Sequence, residues 1–420
     1  MHASNPGTMR TVLLGICIAL TSAAMAQREC AVTSYLSQQA AVDPSLTQRI
    51  QNIEQFIKQQ AFAKMEGEEA NVIRIPVVVH VLYKTAAENI SDEQVRSQLE
   101  ALNRDFRRRN ADTVNTPQRF KAFGADVQVE FYLATADPEG RATSGIVRRH
   151  TGVSQWKLDD KIKFTAQGGD DAWDSRSYLN IWVGNLGGTQ GYSSMPGAAP
   201  EKDGIAIHYT AFGTINSSAP HHLGRTAVHE AGHWLGLRHI WGDTYCGDDL
   251  VDDTPKQGNF TTGCPSGFRT SCNNSATGDM YMNYMDYTND ACANMFTFGQ
   301  KERMLALFNP GGPRHSLLAS RGLNAAWNFT QPEVEPAPLP ETVIRVFPNP
   351  VVSEVTISFS EDVSWIGTNL DILNAQGVVV KRMQVKSVNQ KIDLSSLRPG
   401  MYFIQANNKG AKLREKLVRL

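Results

Sequence analysis

The chain has 420 residues, of which 41% are hydrophobic and 20% charged, and a formal net charge of −1. This composition is ordinary for a globular protein and leaves room for two or three domains. The near-neutral balance excludes a nucleic-acid footprint, which needs a basic excess.

The first predicted element is an export signal. Arg10 supplies a positive start, "TVLLGICIAL" (Thr11 to Leu20) is a short apolar core, and "AMA" (Ala24 to Ala26) fits a cleavage site. Residues 1–26 therefore read as a signal peptide. The apolar run is too short to cross a membrane, and no other segment reads as transmembrane. Cys17 leaves with the signal. Of the rest, Cys30 stands alone, while Cys246, Cys264, Cys272 and Cys292 crowd into one region. In an exported chain such a cluster reads as two disulfides, in any of three pairings.

Within residues 45–60, Ile50, Ile53, Phe56 and Ile57 share one helical face. A loose "KMEGEEAN" separates this helix from the main domain. Residues 72–83, "VIRIPVVVHVLY", are rich in β-branched side chains and read as a buried strand. A helix follows, with Ser91 and Gln94 as a capping box and Val95, Leu99, Leu102 and Phe106 as its apolar stripe. Residues 127–134, 179–186 and 204–210 read as further strands. Residues 242–296 are rich in Gly, Asp, Asn, Thr and Cys and read as stapled loop. A second capping box, Thr297 and Gln300, starts another helix. Residues 330–342 carry four prolines and read as an extended linker. From 343 to 420 short β runs alternate with turns, the pattern of a separate small β-sandwich.

The chemistry lies in "AVHEAGHWLGLRHIWGD", Ala227 to Asp243, which contains HExxHxxGxxH. Residues four apart share a helix face, so His229 and His233 can bind one metal ion. Glu230 leans over the metal's open side. A straight helix cannot return a ligand ten residues on. Gly236 permits a left-handed helix end, so that His239 becomes the third ligand. Three imidazoles and one vacant position suit catalytic Zn²⁺, which lowers the pKa of its bound water to about 7. Glu230 is then the base that takes the proton from this water as it attacks a peptide carbonyl.

These residues resemble the metzincin zinc peptidases, and "NYMDY", Asn283 to Tyr287, agrees with their Met-turn. The resemblance implies that Met285 floors the site and that Tyr287 stabilises the tetrahedral intermediate. Within the metzincins the chain resembles the pappalysin family, especially its short microbial members. The matching stretches are "IPVVVHVLY", "YLNIWVGNL", "GIAIHY", "DDTP" and "NYMDY", within about residues 72–310. The implied fold is an α/β (α+β) metzincin catalytic domain, residues 71–329, with a twisted sheet and active-site helix above an irregular lower half. The family's cysteine pairing, carried over, gives Cys246–Cys272 and Cys264–Cys292. Family members bind structural Ca²⁺ in the loop that "CGDDLVDDTP" (Cys246 to Pro255) matches, with Asp249, Asp252 and Thr254 as candidate ligands here. Those short members also cut before basic residues, and Asp290 is the candidate floor of such a P1′ pocket.

Both ends carry further resemblances. Metzincin precursors use an Arg-x-Cys segment whose thiolate takes the fourth zinc position. "QREC" puts Cys30 in that role, Arg28 on an acidic partner in the cleft, and residues 27–70 in a pro-segment. The family pattern continues with Gly, where this chain has Ala31. The C-terminal module resembles the sorting domain of the Bacteroidetes type IX secretion system. It carries "VFPNP" (Val346 to Pro350), "LRPGMYFIQ" (Leu397 to Gln405) and the basic end "KLREKLVRL" (Lys412 to Leu420). The whole reading is a metalloendopeptidase acting on protein or peptide substrates, secreted or at the cell surface, with that secretion machinery as its partner. The alternative is a secreted adhesin or binding protein on an idle peptidase scaffold. The intact Glu230 and three histidines speak against it.

Overall fold

The β-branched run becomes β1 (Ile73–Tyr83), buried along nearly its whole length. Such two-sided burial suits the centre of a mostly parallel sheet. β1 is long enough to serve two successive parallel partners along one edge. β2 (Val129–Leu133) pairs with residues 73–77 and β3 (Ile146–His150) with residues 79–83. On its other edge lies β4 (Leu179–Gly184), followed by β6 (Ile205–His208), both parallel to it. β5 (Gly191–Ser193) closes this side as an antiparallel edge strand on β6. The computed structural model describes residues 30–63, 72–325, 344–359, 363–408 and 411–420. The predicted signal peptide, Arg28 and the predicted Pro-rich linker lie outside the described residues.

Among the described residues five α-helices accompany the sheet: α1 (Val32–Val42), α2 (Ser45–Ala63), α3 (Asp92–Phe106), α4 (Arg225–Trp234) and α5 (Phe298–Ala306). The apolar stripe of α3 joins Val77, Val79 and Val81 of β1 and Val228, Ala231 and Trp234 of α4 in one core. Only half of the predicted capping box on α3 forms. Ser91 Oγ accepts the Gln94 N–H at 3.2 Å, but the Gln94 side chain turns away to the carbonyls of Tyr209 and Phe212. The box on α5, Thr297 with Gln300, is complete. Between α4 and α5 the described residues form no helix or strand, as the loop-rich composition leads one to expect. Two disulfides staple this region, Cys246–Cys272 and Cys264–Cys292, with Cα atoms 5.6 and 5.5 Å apart.

The N-terminal segment packs on this body. Glu54 of α2 pairs with Arg303 of α5 and lies 3.6 Å from Arg238. Arg49 Nε donates to the Gly197 carbonyl at 2.7 Å. The chain divides into two compact units, Met1–Thr330 and Gln331–Leu420.

The second unit is all β. One antiparallel sheet contains β10 (Val379–Gln384), β9 (Asn369–Asn374), β12 (Gly400–Asn408) and β13 (Ala411–Arg419), in that order. The other contains β11 (Asn389–Asp393), β8 (Glu354–Ser358) and β7 (Arg345–Phe347). Inward-facing Val355, Ile357, Leu370, Ile372, Ile404, Leu413 and Leu417 fill a shared core around Trp365, the packing of an immunoglobulin-like sandwich. Among the described residues no helix is long and apolar enough to cross a membrane.

Candidate active site

The histidine helix α4 is buried from end to end. Its N-terminus lacks an ordinary cap, because Gly224 has no side chain. Asp290 supplies one from a distant loop: its Oδ2 accepts the N–H groups of Leu223 and Arg225 at 2.8 and 3.2 Å. The buried Arg225 guanidinium then binds Asp105 and Asp112, with Nε 3.1 Å from Asp105 Oδ2 and Nη2 2.9 Å from Asp112 Oδ1. At the other end Gly236 has φ +82°, and the N–H of Leu237 returns to the Gly232 carbonyl at 2.9 Å. This left-handed cap ends the helix and sends the chain back toward the metal ligands.

The turn delivers what the spacing predicts. His233 Nε2 lies 3.1 Å from both His229 Nε2 and His239 Nε2. Tetrahedral Zn–N bonds of about 2.0–2.1 Å place their nitrogens about 3.4 Å apart, so this donor set fits a zinc ion. Each opposite ring nitrogen has a partner. His229 Nδ1 faces the Tyr284 carbonyl at 2.7 Å, His233 Nδ1 faces the Leu237 carbonyl at 2.9 Å, and His239 Nδ1 meets Asp243 Oδ1. These acceptors fix the tautomer that leaves Nε2 free to ligate. Burial and the neighbouring His239 push His233 down to about 3, so it stays neutral. Cys30 completes the cluster: ligand atoms of Cys30, His229, His233 and His239 lie within 4.8 Å of one another. It is the only such group of three or more His, Cys, Asp or Glu side chains among the described residues.

Around this cluster the other candidates take their places. Glu230 is fully buried, and its carboxylate is within hydrogen-bonding reach of the Cys30 thiol. Met285 is fully buried beneath α4; a Cβ on Gly232 would come within 2.5 Å of its Sδ, so a glycine there admits the thioether. Asn283 holds that turn through reciprocal bonds to Gln300 at 2.8 and 3.0 Å and accepts the Met285 N–H at 2.9 Å. The Tyr287 ring packs between His239 and Phe260, and its hydroxyl donates to the Cys30 carbonyl at 3.0 Å. Burial, with Cys30 and Glu230 nearby, raises the Tyr287 phenol far above its usual value, so it remains a donor.

The calcium candidates do not assemble as a trio. Thr254 Oγ1 lies 2.9 and 2.8 Å from the two Asp249 oxygens, but Asp252 is exposed and outside that pair. Its neighbour Asp253 turns inward instead and binds Thr297 Oγ1 and the Gly299 N–H at 2.6 and 2.8 Å, at the start of α5. Asp290 is fully buried, and the structure gives it the capping role on α4 that residue type alone did not reveal. Its Oδ1 lies 3.8 Å from His221 Nδ1. Two further groups serve the candidate site without a mark in the sequence pattern. Asp243, four residues after His239, orients that ligand. Gly191 of β5 forms a parallel bridge with Cys30, and its carbonyl accepts the Ala31 N–H at 3.1 Å.

Comparison with known proteins agrees with this geometry. Residues 164–309 match the family described as pregnancy-associated plasma protein-A, and residues 345–419 match the secretion system C-terminal sorting domain. An extracellular metalloprotease of Pyricularia oryzae is 45% identical over 129 residues, covering 29% of this chain and 44% of that protein. The chain thus spans about half the length of the first curated relatives it matches. An extracellular metalloprotease of Arthroderma benhamiae is 32% identical over 240 residues, covering 55% of this chain and 76% of the relative. Among solved structures, a Tannerella forsythia promirolysin mutant is 45% identical with a TM-score of 0.65, covering 70% of this chain and 97% of that one. With the five motif positions in place and the ligand nitrogens converging, the chain belongs to the pregnancy-associated plasma protein-A family of metallopeptidases, the pappalysins, and carries a secretion-system C-terminal sorting domain.

Proposed function

We propose that the protein is a zinc-dependent endopeptidase made as a latent precursor and exported through the sorting domain to the cell surface or beyond. The observation that carries this reading is the convergence of His229, His233 and His239 Nε2 with Cys30 Sγ, beside the buried Glu230. Zinc, when bound, supplies Lewis acidity that brings the pKa of water to about 7. Glu230 takes a proton from the attacking water and hands it to the leaving amine. Tyr287, held protonated, donates to the carbonyl oxygen as it gains negative charge. In the precursor that hydroxyl is spent on the Cys30 backbone, and Cys30 fills the position that water needs. The test is casein hydrolysis by the matured protein with and without a zinc chelator. Chelator-sensitive cleavage is expected; binding of protein without cleavage would favour the adhesin reading.

We further propose a preference for Arg, and less for Lys, on the carboxyl side of the cut. Asp290 supports it: a buried carboxylate five residues after Met285, pinned by the N–H groups of Leu223 and Arg225 beside the Cys264–Cys292 bridge. A guanidinium pairs with such a group, whereas an apolar side chain leaves it desolvated and unpaired. Asp290→Asn keeps an acceptor for the helix cap and removes the charge. The expected outcome is at least about a tenfold loss in the Arg-to-Leu ratio of kcat/KM for matched peptides. An unchanged ratio would remove Asp290 from the pocket.

We propose Asp249 as the anchor of a calcium site in this loop, beside Thr254. Burial pushes its carboxyl up to about 7, and a bound cation would hold it ionised. EGTA is expected to lower Tm by several degrees in the wild type and much less in Asp249→Asn. Equal shifts in both proteins would exclude this loop.

A further inference from the structure

Cys30 is not the only side chain of the N-terminal segment inserted into the body. One helical turn after Ala31, whose carbonyl accepts the Tyr35 N–H at 2.8 Å, α1 places Tyr35 in a socket where it is 1% exposed. The Tyr35 hydroxyl donates to Asp160 Oδ1 at 2.9 Å and accepts from Lys163 Nζ at 3.1 Å. Lys163 is fully buried; its ammonium also meets Asp160 Oδ1 at 3.0 Å and the Lys202 carbonyl at 2.7 Å. The ring of Tyr192 stands 4.8 Å from that of Tyr35, and the Lys163 ammonium lies 5.2 and 5.3 Å from the Tyr192 and Trp182 ring centres. Among the described residues the Tyr192 hydroxyl has no hydrogen-bond partner.

This socket adjoins the reaction centre. Tyr192 follows Gly191, which pairs with Cys30, and a Cβ on Gly191 would lie 3.2 Å from Glu230 Oε1. Neighbouring strand residues point to opposite faces, so Tyr192 and the socket stand across β5 from Glu230, within reach of a chain that, like the segment at Cys30, runs along the free edge of this strand. If the N-terminal segment leaves on maturation, Lys163 loses one of its three acceptors and Asp160 loses a donor. Buried ions hold well only when their remaining hydrogen bonds are made. The empty socket then has the shape of an aromatic ring and a polar floor that matches a phenol.

We propose that the Tyr35 socket is a subsite of the mature cleft that selects a tyrosine side chain of the protein substrate, within a few residues of the scissile bond. This rests on the peptidase and zymogen reading above. Phenylalanine fills the ring space but leaves the Lys163–Asp160 pair without its hydroxyl. A site built to hydrogen-bond a substrate hydroxyl discriminates strongly against the analogue that lacks it.

The test starts from a casein peptide that the matured enzyme cleaves, with Tyr, Phe and Ala scanned through the four positions on each side of the cut. At one position, on one side only, Tyr is expected to exceed Phe by about tenfold or more in kcat/KM, with Ala lower still. In Lys163→Met the Tyr-to-Phe ratio at that position is expected to fall close to one. If that variant does not fold, the wild-type Tyr-to-Phe ratio decides alone. A flat profile from an enzyme that cleaves the peptides would overturn the subsite and leave the peptidase reading standing. Failure to cleave any casein peptide would overturn the peptidase reading itself.

Discussion

Glu230→Ala is expected to keep one zinc ion per chain and to lose about a thousandfold or more of its turnover. The three ligand nitrogens face one another without help from Glu230, and each ligand ring is anchored by its own acceptor at Tyr284, Leu237 or Asp243. Metal affinity therefore does not depend on the carboxylate. Turnover is expected to, because Glu230 is the buried carboxylate within hydrogen-bonding reach of the Cys30 thiol, at the position the attacking water would take. A thousandfold loss corresponds to about 4 kcal/mol of transition-state stabilisation. The measurement is kcat/KM on one fluorogenic peptide beside zinc content from the same preparation. Loss of zinc together with activity would make Glu230 a structural residue, and wild-type-like turnover would sink the mechanism.

Cys30→Ala is expected to raise hydrolysis by the uncleaved precursor at least about tenfold and to speed its maturation, because a thiolate competes well for zinc. The rise stops short of full activity, since other anchors remain. Tyr35 still fills its socket, Glu54 still pairs with Arg303, and Arg49 still holds the Gly197 carbonyl. Thr33 Oγ1 also reaches Asp243 Oδ1, the atom that orients His239. The readout is short-peptide cleavage by purified precursor, with the time course of its own conversion. A variant as silent and as slow to mature as the wild type would show that Cys30 is not the switch.

Local pattern made part of this molecule readable in advance. β1, α3 and α5 announce themselves by β-branched runs, helical stripes and capping residues, because burial of one face writes a period into the sequence. The metal site is readable for a related reason: His229, His233 and His239 come from one short stretch whose turn at Gly236 is chemically marked. α1 gave no such signal, since "VTSYLSQQAAV" buries only Val32 and Tyr35 and has no apolar stripe. β3 is largely exposed and β5 has three residues, so both depend on strands already in place. β13 looks like a basic tail because Lys412, Arg414 and Lys416 line one face and Glu415 interrupts the other, where Leu413 and Leu417 meet the sandwich core. The roles of Asp243, Asp290, Lys163 and Asp160 were not readable as such. Asp290 lies 65 residues from Arg225, and the Lys163–Asp160 pair 128 and 125 residues from Tyr35, so only the folded chain brings these partners together; Asp243 is four residues from His239, but no local pattern marks their contact.

The most direct test of the three-histidine site is a coupled measurement of zinc and peptidase activity on the matured enzyme. One zinc ion per chain is expected, with activity falling in step as a chelator removes it and returning when zinc is restored. Peptide cleavage that persists at full rate after the zinc has been stripped would contradict the account.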